Sequence, residues 1–492
     1  VAVLNHGRQA MTTTAIDVDA PTASRHRLTL PRILETAVFQ LLLCTVALAP
    51  LPFGSNRPGS WSLLALVIGA LLLAWSLAHA LDRNRLHRLA PSGYLWPAGV
   101  ALALLGWFVL QASPGLPQAW HHPAWAWAAQ QLGQPLGGRI SMDPDATLTA
   151  TMRLASYAGV FFLTMQLACD RRRARLMLLS VAAAATAYAA YGLAMTFGGL
   201  DMILWYERWA YPGSVTGSFV NRNSFATYAG LGLVVSVALL AAAVQQARQG
   251  NDNGRSRHDH LMIERIIAGA WLPALAVMVL TAALVASQSR AGLAVTALAL
   301  AVLAALQLRR NGGRGRRVWL LAAALLLAVV AVSEGTVFQR IETGGIDALG
   351  NRLLLYRDVV AGIADRPWLG HGYGTFEAAF EGYRSPPLLD AGAIDKAHNS
   401  YLEFAFEAGL PALMAMLTLL GLVVLRCLRG AMKRRRDRVY PQVALAAAVL
   451  VGLHAMVDFS VQIPAIGVLF AFLLGLGFAQ SFPGQGASGR SA

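Results

Sequence analysis

Apolar residues run along this chain in long blocks, and polar and basic residues gather in the short segments between them. Runs of about 18 to 20 apolar residues match the thickness of a hydrocarbon core. Read this way, the pattern predicts spans at roughly 33–53, 61–81, 95–112, 150–169, 176–197, 224–244, 266–286, 291–308, 318–333, 408–426, 440–457 and 463–480. The expected fold class is therefore an all-α polytopic membrane protein of about twelve transmembrane helices. Three connecting segments are long. Segment 113–149 is rich in Trp, Pro and Gly, and its aromatics predict an interfacial belt or a short helix lying on the bilayer surface. Segment 198–223 is shorter. Segment 334–407 is the longest and includes a predicted amphipathic helix, Ile346 to Ala364, which Asp365-Arg366-Pro367 ends. No period of about 20 to 50 residues recurs, which excludes a solenoid.

Composition supports this reading. Of 492 residues, 56% are apolar and 13% are charged, whereas a soluble domain carries about 25% charge. The net charge of +15 would suggest nucleic acid in a soluble protein, but here the basic residues mark topology, and no nucleic-acid partner is expected. Nearly all are arginine, with Lys396 and Lys433 the only lysines. Most of them fall on one side when the N-terminus is placed in the cytoplasm. That side takes segments 82–89, 170–175, 245–265, 309–317 and 427–439.

The expected organisation is a cytoplasmic tail (1–32), helices 1–9 (33–333) with outer loops 113–149 and 198–223, a large periplasmic loop (334–407), helices 10–12 (408–480) and a second tail (481–492). The first tail lacks the features of a removable signal peptide, and Val1 reads as a non-ATG start with Met11 as an alternative. Cys44, Cys169 and Cys427 lie far apart in or beside apolar runs and form no CxxC, so they read as buried small hydrophobes.

The inward segments carry charge and little else, with no P-loop, dinucleotide fold or kinase signature, so chemistry is expected on the outer face. Four features stand out there: Ser218 to Ser224, with Asn221, Arg222 and Asn223; Ser287-Gln288-Ser289-Arg290 in a tight turn; Arg366 to Phe376, with its Gly370-x-Gly-x-Gly; and Ala397-His398-Asn399-Ser400-Tyr401-Leu402-Glu403. Arg222 and Arg290 have two readings, snorkelling to lipid headgroups or gripping a substrate phosphate with their guanidinium forks. His398 is either a structural histidine or a base that takes a proton from a hydroxyl, with Asn399 or Glu403 setting its tautomer. The glycine run lacks the flanking strand of a nucleotide fold and is expected to form a tight turn, with backbone amides near a ligand as the lesser option. Asp143/Asp145 reads as a turn in preference to a metal site. His454 and Asp458, four apart on one helix face, read as an internal hydrogen bond, with a supporting role at a site as the alternative.

Taken together, VTGSFVNRNSFATYAGLGL, ASQSRAGLAVTAL, GNRLLLYRDVVAGIADRPWLGHGYGTF, AHNSYLEFAFEAGLPAL and HAMVDFSVQIPA resemble the O-antigen ligase and polymerase superfamily of bacterial envelope glycan transferases. They span residues 215–465, about half the chain, in the family's order. The resemblance implies a membrane-embedded glycosyltransferase that moves a preassembled glycan from undecaprenyl diphosphate to an acceptor hydroxyl. Such a protein works at the periplasmic face of the bacterial inner membrane, without metal or cofactor. It implies a diphosphate-gripping role for Arg222 and Arg290 and a base role for His398; by their position beside these, Asn221, Asn223, Ser289, Asn399 and Glu403 are expected to support the site. The implied acceptor is a lipid A core or a lipid-linked repeat unit; the NRNSFATY form is more similar to polymerase-type members that make exopolysaccharide. The rival class is a transporter or flippase of a lipid-linked or anionic substrate, which twelve spans would suit, although such proteins keep polar sites near the midplane.

Overall fold

A computed structural model describes residues 29–82, 91–249, 259–308, 346–434 and 436–482. Its helices are α1 (Leu30–Leu48), α2 (Pro58–Leu81), α3 (Leu95–Ala112), α4 (Pro123–Leu132), α5 (Pro144–Leu167), α6 (Arg171–Phe197), α7 (Arg222–Gln249), α8 (Asp259–Ala286), α9 (Arg290–Leu308), α10 (Ile346–Asp365), α11 (Phe376–Phe380), α12 (Ser400–Ala408), α13 (Leu410–Lys433), α14 (Val439–His454) and α15 (Pro464–Ala479). A two-stranded hairpin, β1 (Met202–Ile203) and β2 (Tyr206–Glu207), follows α6. The molecule is an all-α polytopic membrane protein. Among the described residues, eight helices are long and apolar enough to cross a bilayer, and α14 and α15 are shorter apolar helices. Each expected span within the described residues coincides with a helix; the expected ninth, 318–333, lies outside them, as do the basic segments 83–89 and 309–317.

Proline at the first turn opens α1, α2, α4, α5, α13 and α15, where a missing N–H costs no helical bond. Helix α15 is apolar all round and almost wholly buried, as a central helix must be. It packs against α5 and α14, while α7 packs against α8, α9 and α14. Asp143 is the N-cap of α5, accepting the Asp145 and Ala146 amides at 3.0 Å, so this acidic pair starts a helix. Cys427 is buried and Cys169 partly so, but Cys44 is exposed. The expectation of burial fails there because Cys44 lies on the outward face of α1, which lipid covers in place of protein.

The bundle has two chemically distinct ends. At the end assigned to the cytoplasm, Arg173 pairs with Glu35, Arg171 lies 2.6 Å from Asp437, and Arg434 donates to the carbonyls of Gln480 and Phe482. The opposite end carries α4, α10–α12 and the polar motifs.

The glycine run forms the hub of that end. Gly370 and Gly372 have φ of +66° and +116°, a region that disfavours side chains. A Cβ on Gly370 would lie 2.2 Å from the Glu407 carbonyl oxygen. The turn wraps Glu407: the Gly372 amide donates to its carbonyl (2.8 Å) and the Phe376 amide to its carboxyl (2.9 Å). Its amides are thus engaged by the protein's own α12. Buried Gln111, at the end of α3, donates to Leu369 O (2.7 Å) and accepts the Tyr373 amide (3.1 Å).

Part of the 113–149 segment is tied to this hub. His122 and His371 meet at 3.0 Å, and the Ala124 amide donates to His122 Nδ1. His122 Nε2 must then donate to His371 Nδ1, leaving His371 Nε2 to donate to Gly362 O at 3.1 Å. Burial carries both imidazoles down, to about 3 and about 4, so the pair is neutral at ordinary pH. Arg366 adds bonds to the carbonyls of Trp120 (2.9 Å) and His121 (3.2 Å). A short helix, α4, is present in this segment. One of its aromatics, Trp125, turns inward to donate to Ser141 O at 3.0 Å, while Trp127 stays exposed.

Burial and the neighbouring Glu403 carboxylate raise the Glu407 carboxyl far above its ordinary range. A folded-state pKa above the unfolded value contributes stability that is complete below the unfolded value and lost as pH rises towards the folded one. Stability is therefore expected to fall between about pH 5 and 8. Glu407→Gln, neutral throughout, should flatten that slope in thermal unfolding across the range; an unchanged slope would remove Glu407 as its cause.

Candidate functional site

Arg222 is the first residue of α7, and Asn221 caps that helix by accepting the amides of Asn223 (2.7 Å) and Ser224 (3.3 Å). Arg290 is the first residue of α9. Ser289 precedes it as the cap, its hydroxyl accepting the Gly292 amide at 3.3 Å and its carbonyl the Leu293 amide at 2.9 Å. Each arginine therefore stands at the positive end of a helix dipole, which favours an anion. Arg290 is exposed and Arg222 half-buried, with its guanidinium carbon 5.3 Å from the centre of the Tyr211 ring.

The segment between the hairpin and α7 is fixed by burial. Val215 N donates to Ala286 O (3.0 Å), Ser218 Oγ donates to Pro50 O (2.7 Å), and Phe219 packs into the bundle. The turn before α9 is equally constrained: Gln288 has φ +56°, and Ser287 and Ser289 are buried. Both guanidinium groups thus project from short, rigid elements.

One side chain joins these two helix starts to the rest of the site. Asn223 accepts from Ser289 Oγ at 2.8 Å and donates to Asp458 Oδ1 at 3.4 Å. The same Asp458 oxygen lies 3.7 Å from His398 Nδ1. That separation exceeds hydrogen-bond reach, but such contacts are often loose without substrate. The residue before Arg290, the residue after Arg222 and His398 thus belong to one continuous polar set, with Asp458 at its centre.

The Asp458 carboxylate is wholly buried, in the turn that follows α14. Burial raises its pKa, but the facing His398, the donating Ser460 hydroxyl and nearby His454 outweigh that and hold it below the ordinary carboxylate range. It stays ionised. Nδ1 of His398 faces this charge, which favours a proton on Nδ1 and leaves Nε2 as the acceptor. The His398 side chain is 35% exposed, enough for a hydroxyl to reach it.

His398 is held in a left-handed conformation, φ +51°. The Tyr356 hydroxyl donates to its carbonyl at 3.1 Å, Ser400 N donates to Ala455 O at 2.8 Å, and its ring stands edge-on to Phe459 at 5.3 Å. Asn399 and Glu403 do other work than setting its tautomer. Asn399 caps α12 by accepting the Tyr401 and Leu402 amides at 3.1 Å. Glu403 accepts the Ala397 amide at 2.9 Å and lies 3.5 Å from Lys396. It fixes the backbone before His398; the side chain facing the imidazole is Asp458. His454 turns from Asp458 to Thr227, 2.5 Å away on α7.

Asp458 was visible in sequence only as a neighbour of His454. Its contacts to α7 and to the loop before α12 obey no local spacing rule. Tyr211 and Tyr356 carried no signal; the capping roles of Asn221 and Asn399 could have been read from an asparagine standing immediately before a helical run.

A search of curated proteins finds none that matches this chain. The family described as O-antigen ligase matches residues 275–417. The match runs from within α8 to within α13 and includes Arg290 and His398, while Arg222, Asn223 and Asp458 lie outside it. That region lies among membrane-spanning helices, so the match supports a likeness to the O-antigen ligase-related superfamily and a membrane protein of glycan-ligase type, a family whose substrates are, in general, a lipid-linked glycan and an acceptor glycan.

Proposed function

We propose that the chain transfers a preassembled glycan from undecaprenyl diphosphate to an acceptor hydroxyl at the periplasmic face of the bacterial inner membrane. The observation that carries this reading is the single polar set joining both arginine-bearing helix starts to His398 through Asn223 and Asp458. The acceptor oxygen attacks the anomeric carbon and its proton passes to His398 Nε2. The bond from that carbon to the diphosphate oxygen breaks with inversion, and undecaprenyl diphosphate departs with the electron pair. Asp458 stabilises the resulting imidazolium.

Diphosphate is a good leaving group once its charge is met, so the greater need is for cations rather than for a general acid. Arg222, Arg290 and the amides beside them meet that need without a metal. A well-placed donor contributes about 3 kcal/mol to such a transition state, and a positioned base about 10²- to 10⁴-fold. The polyprenyl tail stays among the lipids while α10–α12 lie over the sugar. Within this reading the acceptor is either a second lipid-linked repeat unit or a lipid A core.

Arg222→Ala and Arg290→Ala should each lower transfer by about 10²-fold or more, and His398→Ala by about 10²- to 10⁴-fold, with each variant still accumulating in the membrane. Full polymer production by all three would end this reading. Purified enzyme reconstituted with a lipid-linked glycan should keep its activity in EDTA; loss on chelation and rescue by Mg²⁺ would point to a metal. Product length in the same assay, with each acceptor offered in turn, separates repeated addition from single transfer.

The left-handed backbone at His398 makes a separate prediction. His398→Gly and His398→Ala should both lack transfer, but the glycine variant should be the more stable by about 1 kcal/mol, read as a higher midpoint in thermal unfolding. The opposite order would show that the strain is not there.

A further inference from the structure

The segment between α6 and α7 presents aromatic rings outward, although nothing in the proposed chemistry needs them there. Trp205 at the hairpin tip is 72% exposed, Tyr206 49% and Trp209 53%. The rings form one array. Trp205 lies tilted against Tyr206 (5.9 Å between centroids), and Phe53, in the α1–α2 connection, lies 5.4 Å from Tyr206 and 5.9 Å from Trp209. The Arg57 guanidinium caps Phe53 at 5.8 Å.

The array is built rather than loose. Ile203 is fully buried beneath the hairpin, and the Tyr191 hydroxyl of α6 accepts the Leu204 amide at 2.7 Å. Arg208, its side chain enclosed, lies 3.0 Å from Asp201 and donates to the Ser214 carbonyl. This pair takes a cation inward and closes the base of the hairpin.

The surroundings identify what covers these rings. The chain enters the hairpin from Phe197 and Leu200, and it reaches Phe53 from Leu48 and Leu51, all four exposed and apolar at the ends of membrane-spanning helices. The array is thus continuous with the lipid-facing surface of α1 and α6. Tryptophan and tyrosine, with apolar rings and one polar edge, suit the boundary between acyl chains and headgroups, and an arginine beside them suits the phosphate level.

We propose that the hairpin and Phe53 form an interfacial anchor that seats in the headgroup layer of the bilayer. The same segment continues to Tyr211, under the Arg222 guanidinium. The anchor therefore sets the height of Arg222 relative to the plane of lipid phosphates, where the diphosphate of any lipid-linked substrate must lie.

The test uses the full chain in nanodiscs, with Cys44, Cys169 and Cys427 replaced and Trp205→Cys carrying a fluorescent probe. A second version carries the probe at Trp209→Cys, and retention of the unfolding midpoint shows that each variant folds. Lipids spin-labelled near the headgroup should quench both probes several-fold more strongly than aqueous iodide does. Quenching by iodide alone, or by neither agent, would overturn the proposal. Shielding from lipid quenchers by a soluble oligosaccharide would also overturn it, since the rings would then be a sugar platform. The readout is independent of glycan transfer, so it stands or falls separately from the proposed reaction.

Discussion

The site depends on a carboxamide that has to satisfy two neighbours at once. Asn223 accepts from Ser289 with its oxygen and donates to Asp458 with its nitrogen. A carboxamide, with an acceptor and a donor on the same carbon, fits between a hydroxyl and a carboxylate. An aspartate there would set a second charge against Asp458, and an apolar residue would strand a buried carboxylate, which costs more than the bond itself contributes. The joint also fixes geometry: α7 and α9 start at the same level because one amide bridges their first turns.

Asp458 explains how a buried charge is tolerated among apolar helices. A lone carboxylate in such a setting would take up a proton. This one is ringed by the Ser460 hydroxyl, the Asn223 amide and the His398 imidazole, and so remains an anion. Its permanent charge faces His398 Nδ1 and so favours the tautomer with the proton on that nitrogen. The 16-residue α14 would rise about 24 Å, less than a hydrocarbon core of about 30 Å. Its shortness lets the following turn fold back into the bundle and carry Asp458 to the start of α7.

The architecture was legible because lipid imposes a length rule. Any run of apolar residues long enough to cross must be a helix, so the spans follow from counting. The arginines and His398 were legible for the converse reason, since a polar residue at the end of an apolar run is expensive and draws attention. What the sequence hid were relations across distance. The glycines read as a turn, which they form, but nothing local tied them to Glu407. Their connection, a backbone packed so closely against the main chain of Glu407 that a Cβ would collide with its carbonyl, belongs to residues about 35 apart. Likewise Asn399 and Glu403 were placed beside His398 by proximity in the chain, whereas the side chain that faces the imidazole comes from the turn after α14. Local spacing identifies which residues are costly, but long-range packing decides what each one touches.

The division of labour between rigid and lipid-seated parts follows from the substrate class. A lipid-linked glycan brings its phosphates to the protein at a height that the bilayer determines, so the cations that meet them must be held at that height. Helix starts locked by capping residues supply the rigidity for Arg222 and Arg290. His398, by contrast, comes from the segment before α12, which is fastened to the bundle by the Ser400 and Tyr401 bonds, to α10 by Tyr356 and to the glycine hub by Glu407. Under the proposed reaction, a site assembled from both parts would tie its phosphate grip to the membrane plane while α10–α12 shape the entry of the acceptor.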